Sequence, residues 1–106
     1  MPRLSPLEQV TLRDLAGCVR QHFGERLLAV TLFGSRARAE GRHDSDLDVL
    51  VRVRDLTRKD RRVLQDLAFD LGLERGLVIS PLLADADSWQ TDSFLARAIA
   101  AEGIAL

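Results

Sequence analysis

Residues 34–51 read GSRARAEGRHDSDLDVLV, and the rest of the chain can be placed by reference to this stretch. It opens with Gly34 and Ser35, which follow a short apolar run that the glycine ends. Such a run is too short for a typical helix and rich in strand formers, so it predicts a buried β-strand. The stretch closes on Asp46 and Asp48, where apolar and polar residues begin to alternate. This alternation predicts a second strand that carries both aspartates on one face.

The flanking segments predict three longer helices and one further strand. Ser5, Pro6 and Glu8 form a helix start with a capping box, and Thr57 with Asp60 can cap another helix. The expected elements are a helix at 6–22, a strand at 27–33, a short helix at 35–39, a strand at 47–53, a helix that starts near 57 and ends between 72 and 76, a strand at 77–83, and a helix at 92–102. We therefore predict a single domain over 1–106 of the α/β (α+β) class, with a small mixed β-sheet of three to four strands flanked by helices.

Periodicity also predicts which side chains are buried. The apolar stripe of the first helix consists of Leu7, Val10, Leu15, Cys18 and Val19. Cys18 is therefore expected to be a small buried hydrophobe. The inward positions of the last helix are expected to be Phe94, Leu95, Ala98 and Ile99. Pro81 has no N–H for a sheet ladder, so its strand is expected at a sheet edge or a bulge.

Composition and charge narrow the classes of function. With 46% hydrophobic and 29% charged residues, the chain has the composition of a globular protein, and it has no apolar run long enough to span a membrane. It has one cysteine and no secretory signal, so a cytoplasmic location is expected. Residues 31–62 hold nine basic and six acidic side chains, whereas residues 63–106 hold two and seven. The positive middle suits a nucleoside triphosphate, and the acidic remainder disfavours nucleic acid as a partner.

The residue types in the central stretch indicate phosphate and metal chemistry. Aspartates at i and i+2 on a strand bring two negative charges together, which is costly unless a cation lies between them. Mg²⁺ is commonly held by one or two carboxylates together with substrate phosphates. A Gly-Ser pair at the start of a short helix lets a phosphate approach the backbone, and Arg36 and Arg38 add positive charge. Together these features predict phosphoryl or nucleotidyl transfer.

Each of these features alone has a more common explanation. A Gly-Ser pair usually marks a turn, an Asp-x-Asp sequence is often a solvated strand start, and arginine-rich loops are usually surface. The inference depends on the combination, in which G-S, ten residues and D-x-D lie between two predicted strands.

The stretch resembles the G-S-x-A-R-G…S-D-x-D signature of the polymerase-beta-type nucleotidyltransferases, and of their minimal nucleotidyltransferase (MNT) group in particular. The resemblance extends over nearly the whole chain and implies the nucleotidyltransferase fold, with ATP as co-substrate and Mg²⁺ as cofactor. It implies that Gly34 and Ser35 hold the triphosphate, that Arg38 lies near the nucleotide, and that Asp46 and Asp48 are catalytic and bind the metal. MNT proteins commonly act as antitoxins that transfer AMP to a tyrosine of a HEPN-domain ribonuclease toxin, so a HEPN partner in a hetero-oligomer is implied.

Two departures from the family pattern leave other functions open. Ala39 stands where the signature has glycine, and Ser80 or Val78 stands where the next strand usually has a third carboxylate. Glu74, Asp85 and Asp87 lie outside that strand as predicted. One alternative is therefore a weak or inactive module that neutralises its partner by binding. Another is a transferase that modifies a small molecule, although such enzymes usually carry a further domain for the acceptor.

Four other side chains allow more than one interpretation. His43 is either an exposed loop residue or a contact for phosphate or acceptor. Trp89 either packs in the core or against a partner, or stacks on adenine. Arg52 is either an outer sheet charge or a phosphate-steering residue on the aspartate face. His22 is expected to be a helix-end cation, and two histidines with one cysteine do not support a zinc site.

Overall fold

A four-stranded sheet with helices on both faces forms the structure, a computed structural model that describes residues 4–38 and 46–106. The elements in these ranges are α1 (Pro6–Phe23), a 3₁₀ turn (Gly24–Arg26), β1 (Leu27–Phe33), β2 (Leu47–Val53), α2 (Arg58–Arg75), β3 (Ile79–Asp85), α3 (Phe94–Glu102) and β4 (Ile104–Ala105). The strand order is β3-β2-β1-β4, with β2 and β3 parallel and the other two pairs antiparallel. The expected α/β (α+β) class with a small mixed sheet is confirmed.

Both predicted capping boxes are present and start the two long helices. The Ser5 side chain accepts a hydrogen bond from the Glu8 N–H, and the Glu8 carboxylate accepts one from the Ser5 N–H. Thr57 and Asp60 make the same reciprocal pair at the start of α2. Because free N–H groups at a helix start are otherwise unsatisfied, these residues fix where the chain becomes helical.

The two faces of the sheet bury different sets of side chains. The larger core lies between the sheet and the two long helices, and its most deeply buried members are Leu12, Leu15, Val19, Leu32, Leu47, Val49, Val51, Val53 and Leu64. Burial of such side chains is the main stabilising term, at about 1.5–3 kcal/mol each. The opposite face carries a smaller cluster of Leu50, Ala84 and Ile99, with Phe33, Leu82 and Trp89 packed against it. Asp48 lies on this second face, at the start of the central strand β2.

Two element predictions were wrong, and one element was missed. Residues 35–38 form a turn and not a helix, although the Arg38 N–H donates to the Gly34 carbonyl as in a single helical turn. The third strand is Ile79–Asp85, two residues later than predicted, so Asp85 is its last residue and does not lie outside it as expected. The short strand β4 was not predicted at all, since two residues carry no alternation signal. The edge position predicted from Pro81 is confirmed by the strand order.

The predicted burial was confirmed for Leu15 and Val19 in α1 but was wrong for other positions at both ends of the chain. Leu7, Val10 and Cys18 are exposed, because α1 packs through a neighbouring stripe that includes the polar residues Glu8 and Thr11. In α3, Phe94 is 91% exposed and Leu95 is also exposed, whereas Ile99 is buried as predicted. In the described ranges, none of the helices combines the length and hydropathy that a bilayer crossing requires.

Candidate active site

The two halves of the central motif meet where Gly34 approaches Asp48. β1 and β2 pair so that Phe33 lies opposite Asp48, which places the end of one strand beside the start of the other. Gly34 has a φ of +77°, and a Cβ added to it would overlap the Asp48 Oδ2 atom. A glycine is therefore needed here both for the left-handed backbone and for the space next to the carboxylate.

Asp46 and Asp48 lie close enough to influence each other. Asp46 is exposed immediately before β2, and its Oδ2 accepts a 2.9 Å hydrogen bond from Ser80 Oγ. Asp48 is half-buried, and Ser80 is its partner in the parallel β2–β3 register. Burial of the carboxylate, with a further contribution from the negative charge of Asp46, raises the pKa of Asp48. This end of β2 therefore holds negative charge that a bound cation would stabilise.

Arg36 anchors the turn after Gly34 to helix α1. Its side chain is 2% exposed, and its two terminal nitrogens lie 2.7 Å from the two carboxylate oxygens of Glu8. Burial alone would raise the pKa of Glu8, but hydrogen bonds from Arg36 and Ser5 outweigh it and lower that pKa. The expectation that Arg36 adds charge for a phosphate is therefore corrected, because the guanidinium is buried against a carboxylate.

Arg38 lies at the surface on the far side of the same turn. Its Nη1 is 3.1 Å from Oε2 of Glu102 at the end of α3, and both side chains are substantially exposed. An exposed pair of this kind is worth about 1 kcal/mol or less. The role of Arg38 at the nucleotide remains a prediction.

A serine occupies the position beside Asp48 on β3. Ser80 is thus the residue nearest to where a third carboxylate was sought, and Val78 precedes the strand and is exposed. Residues 4–38 and 46–106 contain no group of three or more acidic, histidine or cysteine side chains that could hold a metal ion. His43, Ala39 and the rest of the loop between the motif halves lie outside the described residues.

The other residues with two interpretations are placed as follows. Trp89 is half-buried against the second-face cluster, with the Arg52 guanidinium carbon 5.8 Å from its ring centroid. Core packing of Trp89 is thus observed, although the ring also borders a cavity. The Nε2 atom of His22 lies 3.2 Å from Oδ1 of Asp60, and the Asp60 carboxylate also pairs with Arg26. His22 thus belongs to a polar cluster around Asp60 that the sequence pattern did not predict.

Sequence reasoning missed two carboxylates that position the motif arginines. Glu8 was interpreted only as a helix cap, and Glu102 was not singled out. Both pairs span long separations, 28 residues for Arg36 and Glu8 and 64 for Arg38 and Glu102. The one signal in the sequence was the cluster of arginines near a core strand, because any arginine that is buried there needs a carboxylate partner.

The residues at the junction fit a divalent cation bound together with phosphates. Asp46 and Asp48 provide hard oxygen ligands at one end of β2, and Gly34 lies against the Asp48 carboxylate. A site that has two carboxylates relies on substrate oxygens and water for its remaining ligands, which is the usual pattern for Mg²⁺. This donor set does not resemble the closed nitrogen and sulfur cage of structural zinc.

Comparison with known proteins identifies the family. The family model of the nucleotidyltransferase domain matches residues 12–92. The chain belongs to this family. A candidate protein adenylyltransferase of Methanocaldococcus jannaschii, MJ1305, is 38% identical over 69 residues, which are 62% of this chain and 47% of that protein. This nucleotidyltransferase domain thus spans about half the length of that relative.

Solved structures with the same fold include MNT proteins and toxin–antitoxin complexes. The structure of a candidate minimal nucleotidyltransferase superposes with a TM-score of 0.66 at 26% identity, covering 96% of this chain and 97% of the other. A chain of a tri-AMPylated HEPN toxin and MNT antitoxin complex from Shewanella oneidensis gives a TM-score of 0.57 at 21% identity, covering 92% and 69%. A chain of a toxin–antitoxin complex with AMP-PNP gives 0.59 at 22% identity, covering 87% and 69%. The last two similarities concern the fold alone.

Proposed function

We propose that this nucleotidyltransferase is a Mg²⁺-dependent protein adenylyltransferase that transfers AMP from ATP to a tyrosine hydroxyl of a HEPN-domain toxin. In this role it acts in the cytoplasm, within a hetero-oligomer, as the antitoxin of that toxin. The observation that carries the proposal is the junction of Gly34 with Asp48, which brings the Gly-Ser turn against a pair of interacting carboxylates. The names of the relatives support the choice of acceptor, since they include a protein adenylyltransferase and an AMPylated HEPN toxin.

The roles of the site residues follow from their positions. Asp46 and Asp48 would hold the metal, while the turn at Gly34 and Ser35, which lies against Asp48, would hold the triphosphate. Arg38 exchanges its exposed contact with Glu102 for a phosphate oxygen. When bound, Mg²⁺ neutralises the charge on the triphosphate and on the pyrophosphate that leaves. Glu8, through Arg36, holds the turn in place from the opposite side.

The transfer forms one bond and breaks another at the α-phosphorus of ATP. The acceptor oxygen bonds to phosphorus, the bond to the β-phosphate oxygen breaks, and the proton of the hydroxyl must be taken up. Ser80 cannot act as a base at neutral pH, and the lack of a general base costs a factor of about 10²–10⁴ in rate. We therefore expect slow turnover, unless a carboxylate of the partner accepts the proton.

Labelled ATP provides the direct test. The protein is incubated with Mg²⁺, ATP labelled in the α-phosphate, and a HEPN-domain toxin as the acceptor. We expect label on the partner, and its loss in the Asp46→Asn and Asp48→Asn variants, with Asp66→Asn on the exposed face of α2 as a charge-matched control. An unlabelled partner in a folded, assembled complex would rule out the transfer.

A binding-only antitoxin is the second candidate, and Ser80 is the observation that favours it. In that case the aspartates are not needed for neutralisation, and the combined Asp46→Ala and Asp48→Ala variant still protects cells from the toxin. Loss of protection by a variant that still forms the complex contradicts this alternative and supports the enzyme.

A further inference from the structure

A second pocket lies on the same face of the sheet as Asp48 but at the other end of β2. Its cavity of about 280 Å³ is bordered by β1, β2, α3, β4 and the segment that contains Trp89. Its described lining does not include Gly34, Ser35, Arg38, Asp46 or Asp48. Asp48, Leu50 and Arg52 alternate along one face of β2, so Asp48 and Arg52 are separated by about 13 Å along the strand. The cavity therefore lies apart from the metal ligands proposed at the start of β2.

The charge in this cavity is not balanced by the protein. Arg52 lines it, and the Nε atom of Arg52 is buried without a hydrogen-bond partner. The side chain makes no hydrogen bond or ion pair within the described ranges, and its guanidinium lies over the Trp89 ring at 5.8 Å. The buried Nε atom is not open to the cavity, so a ligand there would meet the rest of the guanidinium. The cavity thus contains a guanidinium that no carboxylate pairs with in the described ranges, and an anionic group could bind it.

The walls of the cavity indicate the class of acceptor. Small side chains such as Ala100 and Gly103 leave the space open, and Trp89 supplies a flat apolar surface. Thr31 and Thr91 add hydroxyl groups at the border. One guanidinium matches one carboxylate in a paired geometry. A dianionic phosphate would leave a charge uncompensated among apolar walls, which is unfavourable.

We propose that this cavity, named here the Arg52 pocket, binds a carboxylate carried on a small apolar or aromatic body. The volume lies near the lower end of ligand pockets, so the occupant is the size of one side chain or a small acid. Two sources supply that chemistry, a free carboxylic acid or a carboxylate of a partner protein. The inference does not depend on the proposed transfer reaction, because none of the residues assigned above to the triphosphate or the metal lines this pocket.

Benzoate and the intrinsic fluorescence of the protein test the proposal. Trp89 is the one tryptophan of the chain, which has no tyrosine, so emission excited at long wavelength reports on this pocket directly. We expect benzoate to change the emission saturably, and the uncharged isostere benzamide to bind at least about tenfold more weakly. Equal responses to the two compounds, or no saturation with benzoate, would overturn the proposal.

Variants localise the effect to the pocket. Arg52→Gln should weaken benzoate binding at least about tenfold, whereas Arg54→Gln, an exposed arginine on the adjoining loop, should leave it unchanged. Ala100→Leu fills the cavity from the exposed helix α3 and should abolish binding with Arg52 intact, which covers the case that Arg52→Gln fails to fold. Unaltered binding by the folded Ala100→Leu variant would contradict the assignment.

Repeating the benzoate titration in the presence of the HEPN-domain partner distinguishes the two sources of the carboxylate. This is the one part of the experiment that rests on the proposed function. Benzoate binding that disappears in the complex indicates that the partner occupies the pocket with its own carboxylate. Binding that persists in the complex indicates a free acid. The Asp48→Asn variant should lose adenylyl transfer and keep benzoate binding. The two measurements can therefore fail independently, one for the proposed function and the other for the pocket.

Discussion

At the scale of single residues, Gly34 is the position where backbone conformation and site geometry are most tightly linked. Residues with a Cβ rarely adopt its φ of +77°, and a Cβ at this position would overlap the Asp48 carboxylate. We predict that Gly34→Ala displaces Asp48 and lowers adenylyl transfer by at least about 100-fold, because small misplacements of reacting groups are that costly. The measurement is the initial rate of label transfer together with thermal unfolding.

Gly76→Ala is the matched control for this prediction. Gly76 has a similar φ of +70°, but a Cβ there meets nothing within 4 Å. The control should lose about 1–2 kcal/mol of stability through the left-handed backbone and keep its rate. If both variants lost activity equally, backbone strain alone would explain Gly34, and the contact with Asp48 would be irrelevant.

The Glu8–Arg36 pair is the residue-scale feature with the largest expected effect on stability. Both side chains are almost fully buried, and removal of one partner from such a pair typically costs about 3–5 kcal/mol. We predict a loss of this size for Glu8→Gln in urea unfolding, accompanied by weaker ATP binding because the turn is no longer held. Asp14→Asn weakens the partly exposed 2.7 Å pair with Arg75 and should cost less, about 1 kcal/mol.

At the scale of elements, the start of helix α2 depends on one carboxylate. Asp60 completes the capping box with Thr57, and its carboxylate contacts the side chains of Arg26 and His22. The Asp60 side chain is 8% exposed. Hydrogen bonds from Arg26 hold the pKa of Asp60 far below its usual range, against the opposing effect of burial. A lowered pKa means that the folded state favours the charged form, so the stabilisation is present above the unfolded pKa of about 4.

This sign gives a pH-dependent prediction. Asp60→Asn should destabilise the protein by about 2 kcal/mol at pH 7, and the difference from the parent should shrink as the pH falls below about 4. Urea unfolding at several pH values measures it. Asp66→Asn on the exposed face of the same helix should show a small difference that does not follow this curve. A constant Asp60→Asn effect down to pH 3 would contradict the linkage.

The sequence predicted elements better than it predicted their exposed faces. β1 and β2 were placed to the residue, because Gly34 and the alternation from Leu47 mark their limits chemically. Cys18 and Phe94 were assigned inward by periodicity, yet neither helix has a second layer on that side to bury them. Apolar spacing fixes the phase of a helix only when polar residues such as Thr11 do not take part in the core.

The candidate site shows the same division between local and distant information. The proximity of Gly34 to Asp48 could be anticipated, because the motif joins two strands. The carboxylate partners of Arg36 and Arg38 could not, since they come from opposite ends of the chain. Long-range ion pairs leave no periodic signal in a sequence, and the same holds for the unpartnered Arg52 nitrogen under Trp89.

At the scale of the whole molecule, the chain closes its sheet with its last residues. β4 pairs with β1, the Leu106 N–H donates to the Val30 carbonyl, and Arg20 donates to the Leu106 carbonyl. Deletion of residues 104–106 should cost about 2 kcal/mol or more and leave β1 as an open edge prone to self-association. Urea unfolding and light scattering measure both effects, with Ala105→Ser as the control that keeps the strand. A monomeric deletion of unchanged stability would contradict this role.

The ion pairs of the two motif arginines also decide where the domain can be cut. The segment that matches the nucleotidyltransferase family spans residues 12–92, and it contains Gly34, Arg36, Arg38, Asp46 and Asp48. Glu8 and Glu102, the carboxylates that hold two of these residues, both lie beyond its limits. A fragment trimmed to the homology boundary would keep every signature residue and lose the supports of the turn that carries them. Gene fragments for expression, domain fusion or grafting of this site should therefore extend from before Ser5 to past Ile104.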